Sequence, residues 1–201
     1  MTELFFVILQ FFIIYFLFSF NFLIVLNNNV FLNNISFSEN ISFNTIIFLN
    51  FILIVSFLNT NLNTIIIYFF SYLFVLIIIY FYKFKSLIIN INENLLYFLI
   101  FFITSIVIFI EVANNLVIGW DAEKFWIQKA INFYNGNTIS DLSNLPNSFY
   151  PYLGSLSWSF FWKISFIENE YSGRLFYVFF YLSSLLFLIK NFKFSIFYKI
   201  T

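Results

Sequence analysis

Long apolar runs separated by short polar stretches make up most of this chain. A helix that crosses the hydrocarbon core of a bilayer needs about 20 consecutive, mainly apolar residues. Runs of this kind predict transmembrane helices at residues 4–26, 65–82, 95–118 and 173–190. The pattern therefore predicts an all-α, polytopic transmembrane protein, with residues 1–201 forming one transmembrane domain.

A shorter apolar run lies at residues 46–58, or 43–58 if it begins at Phe43, and Asn50 and Ser56 interrupt it. It predicts either a thin span or a re-entrant hairpin. The Asn- and Ser-rich residues 27–45 before it are expected to form an extramembrane loop.

The composition supports a membrane location and removes several kinds of chemistry. Of the 201 residues, 62% are hydrophobic and only 9% are charged, whereas soluble domains carry about 25% charged residues. The absence of His and Cys excludes imidazole bases, thiolate nucleophiles, disulfides and zinc sites built from these ligands. A bound metal would have to be an oxygen-liganded cation such as Mg²⁺ or Mn²⁺. Nine basic residues balance nine acidic ones, which argues against nucleic acid as a partner.

The densest charge follows the span at 95–118, between residues 119 and 147. Within it, residues 122–135 predict a short helix that ends at Gly136. One face of this helix is mainly apolar and the other mainly polar, with Ala122, Phe125, Trp126, Ala130, Phe133 and Tyr134 on the first and Glu123, Lys124, Gln128 and Asn135 on the second. This pattern is typical of an amphipathic helix that lies in the membrane interface.

Residues 149–166 are apolar but differ from an ordinary span. Pro151 and Gly154 stand near their start, and a polar stripe recurs at every fourth position, at Ser155, Ser159 and Lys163. These features favour a second juxtamembrane amphipathic helix over a crossing helix.

The distribution of lysines leads to the same expectation, because cytoplasmic loops collect Lys and Arg near span ends. Two groups mark such loops: Lys83 and Lys85, and Lys190, Lys193 and Lys199. An even number of crossings must separate them, and the spans at 95–118 and 173–190 supply two. Residues 149–166 therefore should not cross. An extracytoplasmic loop at 119–172 would then hold Asp121, Glu123 and Glu170, and Arg174 at the start of the next span would lie on the same face of the membrane.

Three short motifs occur in order between residues 119 and 190. Trp120-Asp121-Ala122 opens a helix that ends in Lys129-Ala130, Tyr150-Pro151 follows, and Glu170-Tyr-Ser-Gly-Arg174-Leu175 opens the next span. In this order and spacing they resemble the first extracytoplasmic loop of GT-C superfamily glycosyltransferases, such as the protein mannosyltransferases of glycosyltransferase family 39. One departure is that the family often has His before the Tyr-Pro step, where this chain has residues 146–149 without His.

The resemblance implies transfer of a sugar from a polyprenyl-phosphate-linked donor to a lipid, glycan or protein acceptor outside a bacterial cytoplasmic membrane, in cell-envelope glycan biosynthesis. Asp121 takes the position of the loop carboxylate, as general base toward the acceptor hydroxyl or as ligand of a divalent cation. Arg174 takes the position of the cation that holds the donor phosphate. Glu123, Tyr150 and Glu170 are the other candidate substrate-binding residues of this loop.

The chemistry is consistent with these roles. A hydroxyl nucleophile needs a carboxylate to accept its proton, and a guanidinium binds a leaving phosphate bidentately.

Glu111 is a further substrate-binding candidate because of its position. It stands seven residues before the predicted end of the span at 95–118, a depth of about 10 Å. An acidic side chain at such a depth is costly and is a functional candidate by default. Asn114 and Asn115 suggest a polar cavity there, but Glu111 could also be a neutral packing residue.

Each candidate also has a structural interpretation. Asp121 is a favourable N-cap for the helix at 122–135, and Glu123 would stabilise the same helix end through the dipole. Arg174 would anchor the end of a span by snorkelling. An interfacial aromatic belt is expected from Trp120, Trp126, Trp158 and Trp162.

Two alternatives to an active enzyme stay open. GT-C enzymes are usually at least twice this length, so the resemblance implies a fragment, a split gene product or a truncated reading frame. One alternative is a non-enzymatic polytopic membrane subunit, transporter- or flippase-like, and the other is an inactive truncated reading frame.

Overall fold

The computed structural model describes residues 2–19, 37–84, 95–115, 117–166 and 168–191, and within these residues the regular elements are all helices, joined by turns and loops. The helices are α1 Thr2–Ser19, α2 Phe37–Phe57, α3 Leu62–Phe84, α4 Leu95–Asn114, α5 Ile127–Tyr134, α6 Leu153–Lys163 and α7 Tyr171–Asn191. A π-helical turn, Ala122–Trp126, leads into α5, and a 3-10 turn, Ser140–Asn144, follows it. The predicted all-α class is confirmed.

Three of these helices are long and apolar enough to cross a membrane. They contain the candidate spans Ser38–Phe57, Leu62–Ile79 and Tyr171–Ile189. Helices α1 and α4 contain shorter apolar stretches, Glu3–Tyr15 and Phe102–Asn114. The chain is therefore a helical membrane protein, while the total of four or five spans stays a prediction.

Helix α2 corrects two expectations, one about the short apolar run at residues 46–58 and one about the polar stretch before it. It is one unbroken helix from Phe37 to Phe57, so the re-entrant hairpin is wrong, and so is the loop assigned to residues 37–45. Hydrogen bonds to neighbouring helices allow polar residues of α2 to lie inside the bundle. Asn44 Nδ2, for example, donates to the carbonyl of Phe18 on α1 at 2.9 Å. The remainder of the predicted loop and residues 20–26 of the first span lie outside the described residues.

Helix α4 ends at Asn114, four residues before the predicted end of this span. The side chain of Asn115 accepts a hydrogen bond from the backbone N–H of Val117 at 3.2 Å. Such a local bond favours a turn over continued helix. Glu111 therefore lies in the last turn of α4 with an exposed side chain, and its depth in the membrane stays a prediction.

The segment between α4 and α7 contacts the ends of the long helices. Ser140 N donates to Asn59 Oδ1, in the turn between α2 and α3, at 3.2 Å. Arg174, in the first turn of α7, donates from Nη1 to the carbonyl of Asn115 at 3.4 Å. Helices α2 and α4 thus end at this segment, and α3 and α7 begin there. Lys83 and Lys190 belong to the remote ends of α3 and α7, an arrangement that supports the expected pairing of the basic clusters on one side.

Helix α6 is 11 residues long, about 16 Å at 1.5 Å per residue, and is too short to cross a bilayer. Every side chain from Ser155 to Phe161 is buried. The ring of Phe161 stacks on Phe176 of α7 with centroids 4.4 Å apart, and Phe160 contacts Phe48 of α2 at 5.0 Å. Helix α6 is therefore enclosed by its neighbours within the protein.

Candidate functional site

The polar stripe of α6 attaches this helix to α5. Ser155 Oγ donates to the carbonyl of Trp126 at 2.8 Å, and Ser159 Oγ donates to the carbonyl of Ala130 at 2.7 Å. Lys163 Nζ donates to the carbonyl of Tyr134 at 3.3 Å. Donors and acceptors both recur at every fourth residue, so the stripe serves helix–helix contact.

The helix that precedes this contact begins earlier than predicted. Asp121 has helical backbone angles (φ −63°, ψ −41°) and makes no capping hydrogen bond with its side chain. The N–H of Glu123 already bonds to the carbonyl of Gly119 at 2.9 Å. The predicted N-cap role of Asp121 is therefore wrong, because the helical bonding starts upstream of it. The stop at Gly136 is confirmed: this residue has φ +92°, a conformation that favours glycine.

Lys129 is the residue that the sequence reasoning missed. It is completely buried, and its Nζ donates to the carbonyl of Tyr150 at 2.6 Å and approaches the carbonyl of Ser148 at 3.5 Å. The rings of Trp126 and Tyr150 lie about 6 Å from Nζ, at 6.0 and 5.9 Å, within reach of a cation–π interaction. Burial lowers the pKa of this amine. Its spacing of three and four residues from Trp126 and Phe133 was the available signal, since it places Lys129 on the apolar face.

A cavity of about 710 Å³ lies between the end of α4, the π-helical turn, α6 and α7. This volume is within the ~300–1,000 Å³ range of small-molecule sites. Its walls are mainly apolar and include Val112, Val117, Ile118, Trp126, Pro151, Trp158, Tyr177 and Val178. Among the described residues that line it, Glu111 and Arg174 are the charged ones. The cavity therefore offers an apolar space with one cation and one carboxylate.

Arg174 has a carboxylate partner four residues before it. Its Nη2 lies 3.0 Å from Glu170 Oε1, and both side chains are largely shielded from solvent. Burial raises the pKa of Glu170, and the positive charge of Arg174 opposes that shift. The pair joins the start of α7 to the end of α4 through the bond from Arg174 to Asn115.

The predicted site residues separate into two groups. Glu111 and Arg174 line the cavity, with Glu170 held against Arg174. Asp121 and Glu123 are exposed and do not line it, although Gly119 and Ala122 beside them do, and Glu123 is paired with Lys124 at 3.4 Å. Tyr150 packs on Phe125 with ring centroids 5.0 Å apart, next to Pro151 of the cavity wall.

Among the residues with described positions, Asp121 has no neighbouring side chains that would complete a metal site with it. The described residues contain no group of three or more His, Cys, Asp or Glu side chains that could hold a metal ion.

The tryptophans do not form the expected belt as one group. Trp158 is buried and donates from Nε1 to the carbonyl of Glu170 at 3.0 Å, so its place in an interfacial belt is wrong. Trp162 stacks on Tyr134 with centroids 4.0 Å apart, and Trp126 lines the cavity. Trp120 is largely exposed and remains a belt candidate.

No protein-family model, curated protein or solved structure matches the chain. The fold and cavity define the class as a helical membrane protein with a partly polar cavity at one end of its long helices.

Proposed function

We propose that this chain is a membrane glycosyltransferase, or part of one, that transfers a sugar from a polyprenyl-phosphate donor to an extracytoplasmic acceptor. The observation that carries the proposal is the cavity shared by Arg174 and Glu111. An amphiphile with an anionic headgroup matches its apolar walls and its guanidinium. The order of motifs from Trp120 to Leu175 supports the same function.

Within this proposal, Arg174 holds the donor phosphate, because a guanidinium stabilises the charge that develops on a leaving phosphate. Glu111 is the carboxylate that shares the cavity with Arg174, and it is the favoured general base toward the acceptor hydroxyl. Asp121, as base or as ligand of Mg²⁺ or Mn²⁺, is the second candidate, since it lies outside the cavity wall. Glu123 and Tyr150 contact substrate only at the rim.

We also propose that the π-helical turn and α5 lie in the interface of the membrane, as a juxtamembrane element. A continuous strip of rings supports this placement: Trp120 contacts Phe125 at 5.5 Å, and Tyr150 contacts Phe125 and Phe149 at 5.0 and 4.9 Å. Trp120 and Phe149 are 65% and 81% exposed. Exposed aromatic rings beside span ends are typical of the bilayer interface. The membrane would be the bacterial inner membrane, where polyprenyl-phosphate donors serve cell-envelope glycans.

A non-enzymatic membrane subunit that binds a lipid phosphate is the second candidate. Asp121 lies outside the cavity. This position favours the non-enzymatic subunit, because a substrate in the cavity would not reach the residue that matches the loop carboxylate of the resembled enzymes.

The test uses the full chain in lipid nanodiscs with a photoreactive farnesyl phosphate. We expect specific crosslinking that farnesyl phosphate competes and farnesol does not. Arg174→Gln should reduce crosslinking at least about tenfold, since it removes a charge-assisted contact. Lys124→Gln, which removes an exposed cation of the same loop, should leave it unchanged.

Equal competition by farnesol and farnesyl phosphate would show that the cavity does not recognise phosphate, and would exclude both candidates. Sugar transfer to endogenous acceptors that depends on Glu111 or Asp121 separates the enzyme from the binding subunit. The enzyme hypothesis fails if Glu111→Gln and Asp121→Asn both keep full activity.

A further inference from the structure

The guanidinium of Arg174 is already paired with a carboxylate. Glu170 Oε1 lies 3.0 Å from Nη2, and the two side chains are only 16% and 21% exposed. Within the described part of the chain, the guanidinium also makes a long hydrogen bond of 3.4 Å from Nη1 to the carbonyl of Asn115. A new anion at Arg174 therefore meets a carboxylate that holds the same guanidinium.

This ion pair leaves several buried polar atoms without partners. Nε of Arg174 and Oε2 of Glu170 are buried and make no hydrogen bond to any described residue, and Nη2, although 3.0 Å from Glu170 Oε1, is not aligned for a hydrogen bond to it. Unsatisfied buried polar atoms are uncommon in folded proteins. The two nitrogens of Arg174 are donors, so water or an anionic ligand would complete their hydrogen bonding.

The backbone of Glu170 is anchored by two hydrogen bonds. Its backbone carbonyl accepts hydrogen bonds from Trp158 Nε1 and from Gly173 N, both at 3.0 Å. A bound anion would thus face a carboxylate whose backbone is held in place and whose side chain is largely shielded from solvent. Like charges that share such a site raise the pKa of one of the groups.

We infer that Glu170 is a proton-linked counter-ion of Arg174: when an anionic headgroup binds Arg174, the Glu170 carboxylate takes one proton from solvent and becomes neutral. The inference rests on the proposed binding of a lipid phosphate at Arg174. In this role Glu170 determines how the affinity of the site depends on pH and which ligand charge the site accepts, without direct contact with the ligand.

The burial of Glu170 supports this role, because desolvation already raises its pKa. Other titratable groups in the surroundings are Glu111 on α4, Glu168 before α7, and Glu3 of α1, which acts on Tyr171. Glu111 is exposed in the same cavity, so it is the main competitor for the proton. The experiment must therefore separate Glu170 from Glu111.

The experiment is calorimetric titration of the full chain in detergent with farnesyl methyl phosphate, a diester that keeps one charge between about pH 5 and about pH 8. Repeating the titration in buffers of different ionisation enthalpy counts the protons taken up. We expect uptake of about one proton and an affinity that falls about tenfold per pH unit above the pKa of Glu170. Glu170→Gln should remove both effects and bind about tenfold or more tightly at the upper end of this range.

Glu168→Gln is the matched control, because Glu168 is exposed and its backbone carbonyl accepts a bond from Trp162 just as that of Glu170 does from Trp158. This variant should bind with the proton count of the wild type. Glu111→Gln should also keep the proton count.

The outcomes separate this inference from the proposed function. No binding of the diester, or binding that survives Arg174→Gln, sinks the proposed phosphate site and the inference with it. Binding that depends on Arg174 but takes up no proton, or loses its proton uptake in Glu111→Gln alone, overturns only the inference. Weaker binding in Glu170→Gln would make Glu170 a positioning residue and would equally overturn it.

Discussion

Lys129 Nζ and the carbonyl oxygen of Tyr150 lie 2.6 Å apart and join α5 to a loop 21 residues further along the chain. The bond fixes the backbone immediately before Pro151, which lines the cavity. Trp126, one turn before Lys129, lines the cavity as well. The position of this amine therefore determines how two elements of the wall face each other.

We expect Lys129→Met to destabilise the protein by about 2 kcal/mol, because the charged hydrogen bond from the buried amine to the carbonyl of Tyr150 is lost. Lys124→Met is the control, since Lys124 forms only an exposed pair with Glu123, worth at most about 1 kcal/mol. Unfolding of both variants in mixed micelles, followed by near-UV circular dichroism, measures the difference. Equal stability of the two variants would show that the buried amine has no structural importance.

The sequence predicted those elements that local patterns determine. The long apolar runs placed α3 and α7 to within three residues of their observed ends, and Gly136 marked the end of α5. The features that the sequence did not predict depend on tertiary contacts. Asn44 looks like a loop residue until its partner, the carbonyl of Phe18 on α1, is known.

The candidate site shows the same limit. Glu111 and Arg174 are far apart in sequence, and only the turn after Asn114 brings them to one cavity. The motifs gave Asp121 and Arg174 equal standing, because motif order contains no information on which side chains point into a cavity. Lys129 was on the correct face, but its burial depends on carbonyls 19 and 21 residues away.

Close contact between α6 and α7 depends on Gly173. A Cβ atom at this position would lie 2.3 Å from the carbonyl oxygen of Trp158 and 2.4 Å from its ring. We expect Gly173→Ala to destabilise the protein by about 1–3 kcal/mol, because the helices must separate. Gly119→Ala is the matched control, with no atom within 4 Å of its added carbon.

Thermal stability in detergent, measured by fluorescence-detected size exclusion after heating, compares the two glycine variants. A Gly173→Ala protein as stable as Gly119→Ala would contradict the contact between Gly173 and Trp158.

The serine stripe of α6 makes a second prediction about helix packing. Ser159 Oγ donates both to the carbonyl of Ala130 on α5 at 2.7 Å and to the carbonyl of Ser155 within α6 at 2.8 Å, whereas the equally buried Ser157 Oγ donates within α6 to the carbonyl of Leu153. We therefore expect Ser159→Ala to cost about 1 kcal/mol and Ser157→Ala less. Chemical unfolding of the two variants provides the measurement, and a larger loss in Ser157→Ala would contradict the inter-helix role.

Asp141 gives the loop after α5 a dependence on pH. Its Oδ2 accepts bonds from Thr138 N at 2.7 Å and from Thr138 Oγ1 at 2.9 Å, and these bonds lower the pKa of the carboxyl. Because the pKa is lowered in the folded state, the stabilisation is present above the ordinary value of 3.8 and is lost as the pH falls through the lowered value.

Hydrogen exchange of the Thr138 amide is the measurement, corrected for intrinsic rates. Its protection should fall on acidification, whereas Asn137, whose N–H bonds to the carbonyl of Asn132 at 3.2 Å, should keep its protection. The same acid sensitivity in Asp141→Asn would show that another group is responsible.

The last prediction concerns which helix ends share a side of the membrane. The turn between α2 and α3 contacts the segment between α4 and α7 through Asn59 and Ser140, so Leu58 and Ser143 should face the same compartment. The chain has no cysteine, and single cysteines at these two exposed positions can be labelled in intact cells with an impermeant thiol reagent. Tyr82, which is 90% exposed near the remote end of α3, supplies the third position.

We expect labelling of Leu58→Cys and Ser143→Cys from outside and labelling of Tyr82→Cys only after the cells are opened. Labelling of Tyr82→Cys alone would invert the orientation and place the cavity on the cytoplasmic side. Polyprenyl-phosphate donors for extracytoplasmic acceptors could not then reach Arg174 from the proposed side, and the glycosyltransferase proposal would have to be abandoned. Labelling of Leu58→Cys and Ser143→Cys from opposite sides would contradict the helix arrangement itself.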